Sequence, residues 1–156
     1  MKNGKANAAS DDDRPDPGWL PLIDLAEIEI TSEASAFPIE GALVLGGGTG
    51  WRADAPGKQT LRLRFQPPLL VRQIRLLVEE RDRARTQELV LRVAFTAEGP
   101  WREVVRQQFN FSPSGAMREQ EDYRVDQPSI AALELTIVPD ISGGDSRASL
   151  EQLRVA

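Results

Sequence analysis

The chain has 156 residues, about the span of one ordinary domain and enough to bury a core without covalent staples. It holds no cysteine and no histidine. That excludes disulfides, thiolate and imidazole metal sites, and every catalytic arrangement that pairs a nucleophile with histidine. A net charge of −5 argues against a protein that coats nucleic acid, and no run approaches the roughly 18 consecutive apolar residues of a membrane span. The lack of cysteine leans toward a reducing compartment. Met1 to Asp16 holds no apolar stretch that would serve as an export signal, so a cytoplasmic location is expected.

Met1 to Gly18 is polar, small and acidic, with Asp11, Asp12 and Asp13 in a row and prolines at 15 and 17. Such a stretch buries too little apolar area to offset its ordering entropy, and residues 1–18 are expected to be a flexible tail. From Trp19 the pattern changes to short apolar runs of period two. Ile28 and Ile30 alternate with Glu27 and Glu29; Leu61, Leu63 and Phe65 with Arg62 and Arg64; Leu133, Leu135 and Ile137 with Glu134 and Thr136. This alternation marks strands with one buried face. The expected strands are 26–31, 59–65, 71–79, 88–96, 101–109, 119–125, 131–139 and 149–155, with a helical turn from Pro38 to Leu43. Residues 19–156 are therefore expected to form one all-β domain, an antiparallel sandwich of about eight strands.

Consecutive antiparallel strands send their connections alternately to the two ends of a sandwich. One end receives 66–70, 97–100 and 126–130, short and proline-bearing. The other receives 44–58, 80–87, 110–118 and 140–148, which are longer and chemically richer. Function usually sits on loops carried by a rigid scaffold, so the long-loop end is the expected site. Its expected ligand-binding residues are Arg81, Arg83 and Arg85 on one wall, Arg52 near the floor, and Asn110 with Arg118 opposite. Arginine and asparagine donate fixed-geometry hydrogen bonds to hydroxyls or carboxylates without being good nucleophiles. Arg83 and Arg85 are expected to be exposed, and so to matter for binding and little for stability.

Ile30-Thr31-Ser32-Glu33, then Pro38 to Leu43, then Gly50-Trp51-Arg52-Ala53, and a Gly57-Lys58-Gln59 step into an alternating strand resemble the discoidin domain, or coagulation-factor type C domain, of the galactose-binding-like jelly rolls. The resemblance covers roughly residues 26 to 155. It implies a jelly-roll sandwich of about eight strands used for binding carbohydrate, lipid or protein rather than for catalysis, with Trp51 packed under the loops. Members of the family often place an acidic residue for structural calcium in the loop before that tryptophan. Here that loop is Gly46-Gly47-Gly48-Thr49-Gly50, without a carboxylate. Asp54 or Asp140 with backbone carbonyls are the remaining candidates for such a calcium; no other metal or cofactor is expected.

Two further patterns are weighed and set aside. The glycine-rich loop lacks the lysine and the following long helix of a phosphate-binding loop. Glu119 and Glu121 share a strand face, but glycoside hydrolysis needs two carboxylates set apart across a cleft, and these are better placed to pair with arginines. The expected function is a non-catalytic module recognising carbohydrate through one end of the sandwich. A cytoplasmic protein-interaction or adaptor domain is the alternative, and the two are separated by whether an aromatic ring lies flat and exposed at the long-loop end.

Overall fold

The computed structural model describes residues 17–112, 114–115 and 117–156. The tail expected over 1–18 lies outside these residues apart from Pro17 and Gly18. The elements in order are α1 (Leu22–Leu25), β1 (Ala26–Ile30), α2 (Glu40–Leu43), β2 (Trp51–Pro56), β3 (Gln59–Glu79), β4 (Arg85–Ala94), β5 (Arg102–Phe111), β6 (Arg118–Val138), β7 (Arg147–Leu150) and β8 (Gln152–Val155). The fold is all-β and antiparallel, with the helical turn expected at Pro38 to Leu43 present as α2.

The strand boundaries differ from the sequence reading in an instructive way. Segments 59–65 and 71–79 are two halves of one strand, β3, and 119–125 and 131–139 are two halves of β6. These strands pair from Gln59↔Ile137 to Glu79↔Arg118, with register shifts confined to the stretch between Arg64 and Gln73. Pro67 and Pro68 supply no N–H to the ladder there, and Asp126 takes a left-handed conformation with φ of 51°. Bulges at such points bend a ladder without ending it. A straight strand of 21 residues would run roughly 70 Å at ~3.3 Å per residue. Instead the Arg85 guanidinium touches both Glu80, just past the end of β3, and the carbonyl of Pro139, just past the end of β6. One small group reaches both, so the ladder doubles back and supplies both layers of the sandwich.

The first layer runs β1, the first half of β3, the second half of β6, β4, β5; β8 adds to the second half of β3. Inward residues meet in register, as in Leu63↔Leu133 and Val93↔Leu133. The outward row is ionic: Glu134 is buried and takes hydrogen bonds from Arg62 Nε at 2.9 Å and Arg92 Nη1 at 3.0 Å. One continuous core joins Leu63, Ile74, Leu76, Leu91, Leu133 and Leu153 with Leu43 of α2.

The segment 44–58, expected to be a loop, contains β2, which pairs with β7 as a separate two-stranded sheet. The run expected as one strand, 149–155, is divided between β7 and β8. β2 alternates in the manner of a strand only from Trp51 to Asp54, and its buried residue after Trp51 is Ala53, a weak strand former. Trp51 is 2 % exposed and its Nε1 donates to the Ser32 carbonyl at 2.9 Å. The ring thus ties β2 to the segment after β1. Before it, Gly48 packs so tightly on α2 that a Cβ would lie 1.9 Å from the Gly41 carbonyl oxygen. This close approach accounts for Gly48, whereas Gly46 and Gly47 face open space and take φ of 77° and 93°, which favour glycine. Trp51→Ala is expected to cost about 3–5 kcal/mol of stability, through a cavity and an unpaired carbonyl, readable from denaturant midpoints.

Candidate functional site

Doubling back of the β3–β6 ladder brings the connections 57–58, 80–84 and 139–146 to one end, with the described residues 112, 114–115 and 117. Backbone hydrogen bonds join them: Gly57 N–H to the Ser146 carbonyl, Glu80 N–H to that of Met117, and Ile141 N–H to that of Thr86. The β2–β7 ladder forms the floor beside them. Its inward residues Ala53, Ala148 and Leu150 are buried, and Arg52 and Arg147 point out.

Two adjoining depressions open here. One, of about 370 Å³, is lined by Arg52, Pro56, Glu80, Asp82, Arg83, Asp145, Ser146 and Arg147. The other, of about 250 Å³, runs from Arg52 and Arg147 over Ala148 and Ser149 to Glu79 and Phe37. Arg52 lies over the Phe37 ring, 4.9 Å from its centroid, which holds the guanidinium against an apolar face. Arg83 donates to Asp145 at 2.7 Å, an exposed pair. Arg81 and Arg118 both lie on Glu79, at 3.3 and 3.6 Å.

Arg85 is a correction. It was expected to project from the loop as an exposed binding residue, but its side chain is 1 % exposed. It donates through Nε to Glu80 at 2.6 Å, through Nη1 to Gln87 Oε1 and the Pro139 carbonyl at 2.7 Å each, and through Nη2 to Ser149 at 3.3 Å. The Phe111 ring covers it, 5.3 Å from the centroid. Glu80 answers the charge. Burial pushes its carboxyl up, but the Asp82 and Arg83 amides and the Arg85 guanidinium together hold it below the usual carboxylate range. The residue sits at the first position of β4, where an inward phase aims even an arginine below the loops. Period two places such a residue inside only once the strand start is known.

Of the other expected residues, Arg52 and Arg83 share the larger depression. Arg81 and Arg118 stand beside Glu79 and line neither depression. Asn110 also lines neither; its Oδ1 accepts from the Thr86 hydroxyl at 2.7 Å. Arg147, Asp145, Ser146 and Asp82 line the site but were not singled out. The connection that carries three of them was already assigned to this end, and the missing signal was β7, too short to reveal its phase. Glu119, Glu121 and Asp122 lie on β6, where Asp122 accepts from Arg75 at 2.7 Å. Among the described residues no group of three or more Asp and Glu side chains is gathered as a metal would need. Asp140 closes a turn by accepting from Ser142 N–H and Oγ, and Asp54 is exposed. The exposed large hydrophobics include one aromatic ring, Phe95, which lies between β4 and β5 at the opposite end.

No family model matches the chain, and no curated protein matches it. Solved structures do. The chain is similar to the carbohydrate-binding module CBM32-3 from a family 31 glycoside hydrolase of Clostridium perfringens, at 18 % identity over 88 % of this chain and 93 % of that one, with a TM-score of 0.65. It is similar to the CBM32 of AlyQ in complex with 4,5-unsaturated mannuronic acid, at 16 % identity over 85 % and 95 %, TM-score 0.60. It is also similar to allantoicase from Saccharomyces cerevisiae, at 13 % identity over 81 % of this chain but 38 % of that one, TM-score 0.56. The chain therefore has the discoidin-like, galactose-binding-like jelly-roll fold that its sequence resembles. Among the described residues no helix is long and apolar enough to cross a membrane.

Two predictions follow from these contacts. Arg85→Ala strands Glu80 and three other polar groups and is expected to cost about 3–5 kcal/mol, whereas Arg83→Ala, which loses one exposed pair, should leave the melting temperature nearly unchanged; paired thermal melts separate them. The second concerns Glu151, whose carboxyl is raised above its ordinary 4.5 by burial first and by the Glu79 charge next, against the pull of Arg52, Arg81 and Arg118. A raised carboxylate opposes folding when ionised, and the penalty disappears as pH falls below 4.5. Glu151→Gln should accordingly raise the melting temperature at neutral pH, with the gain vanishing in acid.

Proposed function

We propose that residues 19–156 act as a non-catalytic carbohydrate-binding module whose site is the arginine-lined depression at the loop end. The observation that carries this reading is the larger depression itself. It is open, of a size that suits a small ligand, and ringed by fixed donors and acceptors: Arg52, Arg83 and Arg147 with Asp82 and Asp145. Pyranose hydroxyls are both donors and acceptors, and such a ring of groups suits them. Modules of this fold, among them the CBM32 of AlyQ with its bound unsaturated mannuronic acid, lend further support.

The charged groups also speak for binding over turnover. Glu80 is engaged by Arg85, Glu79 by Arg81 and Arg118, and Asp145 by Arg83. Of these, Glu80 and Asp145 are held below the usual carboxylate range by their partners, and carboxylates so held serve poorly as general acids. Glu151, whose carboxyl is raised, lines neither depression.

The adaptor reading keeps one specific observation in its favour. Phe95, 41 % exposed and with the Arg102 guanidinium 5.5 Å from its centroid, lies at the end away from the arginine-lined depressions, and large apolar side chains of that kind anchor protein partners. Glycan-array binding followed by titration of the positive sugars tests the two. Arg83→Ala should weaken glycan binding by about ten-fold, the loss of a charged hydrogen bond, and Phe95→Ala should leave it unchanged. Silence across the array, with a co-purifying protein released by Phe95→Ala, would replace the module with the adaptor.

A further inference from the structure

The arginines of the loop end divide into two groups. Arg81 and Arg118 share Glu79, Arg83 holds Asp145, and Arg85 holds Glu80. Arg52 and Arg147 are in no ion pair among the described residues, although both line both depressions. The β2–β7 register places them together. Arg52 lies opposite Ser149, and Arg147, two residues before Ser149 and opposite Pro56 across a bulge in β2, is exposed on the same side of the ladder. Like charges so placed are unfavourable unless something answers them; Glu151 acts on Arg52 and Asp145 on Arg147, neither close enough to form an ion pair.

The surroundings prepare this face for an anion. Phe37 supports the Arg52 guanidinium from one side. Ser149 Oγ accepts from Arg85 Nη2 at 3.3 Å, so its own hydroxyl proton is left to donate elsewhere. Glu80, which lines both depressions, is already satisfied by Arg85 and two backbone amides. Asp82, on the rim of the larger depression, has no ion-pair partner among the described residues and can accept hydroxyl protons. A carboxylate and neighbouring hydroxyls on one small ring match that set.

We propose that Arg52 and Arg147, with the Ser149 hydroxyl between them, form a carboxylate clamp, so that the module recognises glycans bearing a uronic acid. The proposal rests on the loop end being a glycan site and adds the chemical class of the ligand. Guanidinium is the group of choice here because its planar fork meets a carboxylate with two hydrogen bonds.

The test uses the full chain and isothermal titration with galacturonate, mannuronate, guluronate and glucuronate oligomers, each beside its carboxyl-reduced neutral counterpart. At least one acidic oligomer is expected to bind, with affinity that falls as salt rises, and with a loss of about ten-fold or more on carboxyl reduction. Arg52→Ala and Arg147→Ala should each reproduce that loss while melting near the wild-type temperature, and each should weaken the acidic oligomer by more than its neutral counterpart. Equal binding of acidic and neutral oligomers, or undiminished uronate binding by both variants, would overturn the clamp and leave the carbohydrate reading standing. Binding of poly-glutamate as tight as that of the best uronate would also overturn it, in favour of an acidic polypeptide. If no glycan binds, acidic or neutral, the carbohydrate reading itself fails and the clamp with it. Should either alanine variant melt early, Arg52→Gln and Arg147→Gln, which keep length and polarity, carry the comparison.

Discussion

The doubled-back β3–β6 ladder is the constraint on which the rest of this molecule depends. Two 21-residue strands pair along nearly their whole length, and the bulged, proline-marked stretch around residues 66–70 lets the pair fold over itself. One ladder then supplies strands to both layers. Its two ends, Glu79–Glu80 and Val138–Pro139, meet at the same place, and the connections that leave them are gathered there side by side. Were the bend absent, the same residues would stand at opposite ends of a long ribbon.

Where those ends converge, a buried guanidinium joins them. Arg85 ties the end of β3, the end of β6 and the β7 strand through Glu80, Pro139 and Ser149. Burying a charge is costly, and the cost is met here by a carboxylate, a carbonyl, an amide oxygen and an aromatic face. The same residue is therefore the keystone of the loop end and has no surface left for a ligand. Its neighbours divide the remaining labour. Paired arginines such as Arg83 stiffen the connections, and the unpaired Arg52 and Arg147 leave positive charge available above the small β2–β7 sheet.

That sheet marks the difference between scaffold and site. Trp51, Ala53, Ala148 and Leu150 are its buried face and belong to the core. Arg52, Arg147 and Ser149 are its outward face and belong to the depressions. Strand alternation thus presents charged groups on a floor whose backbone is fixed from beneath.

The sequence by itself determined the all-β class, because alternation such as Leu61-Arg62-Leu63-Arg64-Phe65 is a local property of a half-buried strand. Its resemblance to discoidin domains implied that Trp51 packs, and strand parity placed the long connections at one end, since folding a bent ladder over returns the chain to the same end as a turn would. Tertiary structure alone decided the rest. Whether Pro67 and Pro68 end a strand or bend one depends on what β6 does opposite them, a partner roughly sixty residues away. Whether Arg85 faces solvent or core depends on where β4 begins, and a shift of one residue would reverse it. Arg147 shows the same limit. Its place beside Arg52 is set by pairing between two strands too short to be read locally, so of the two unpaired guanidiniums of the site Arg52 was legible and Arg147 was not.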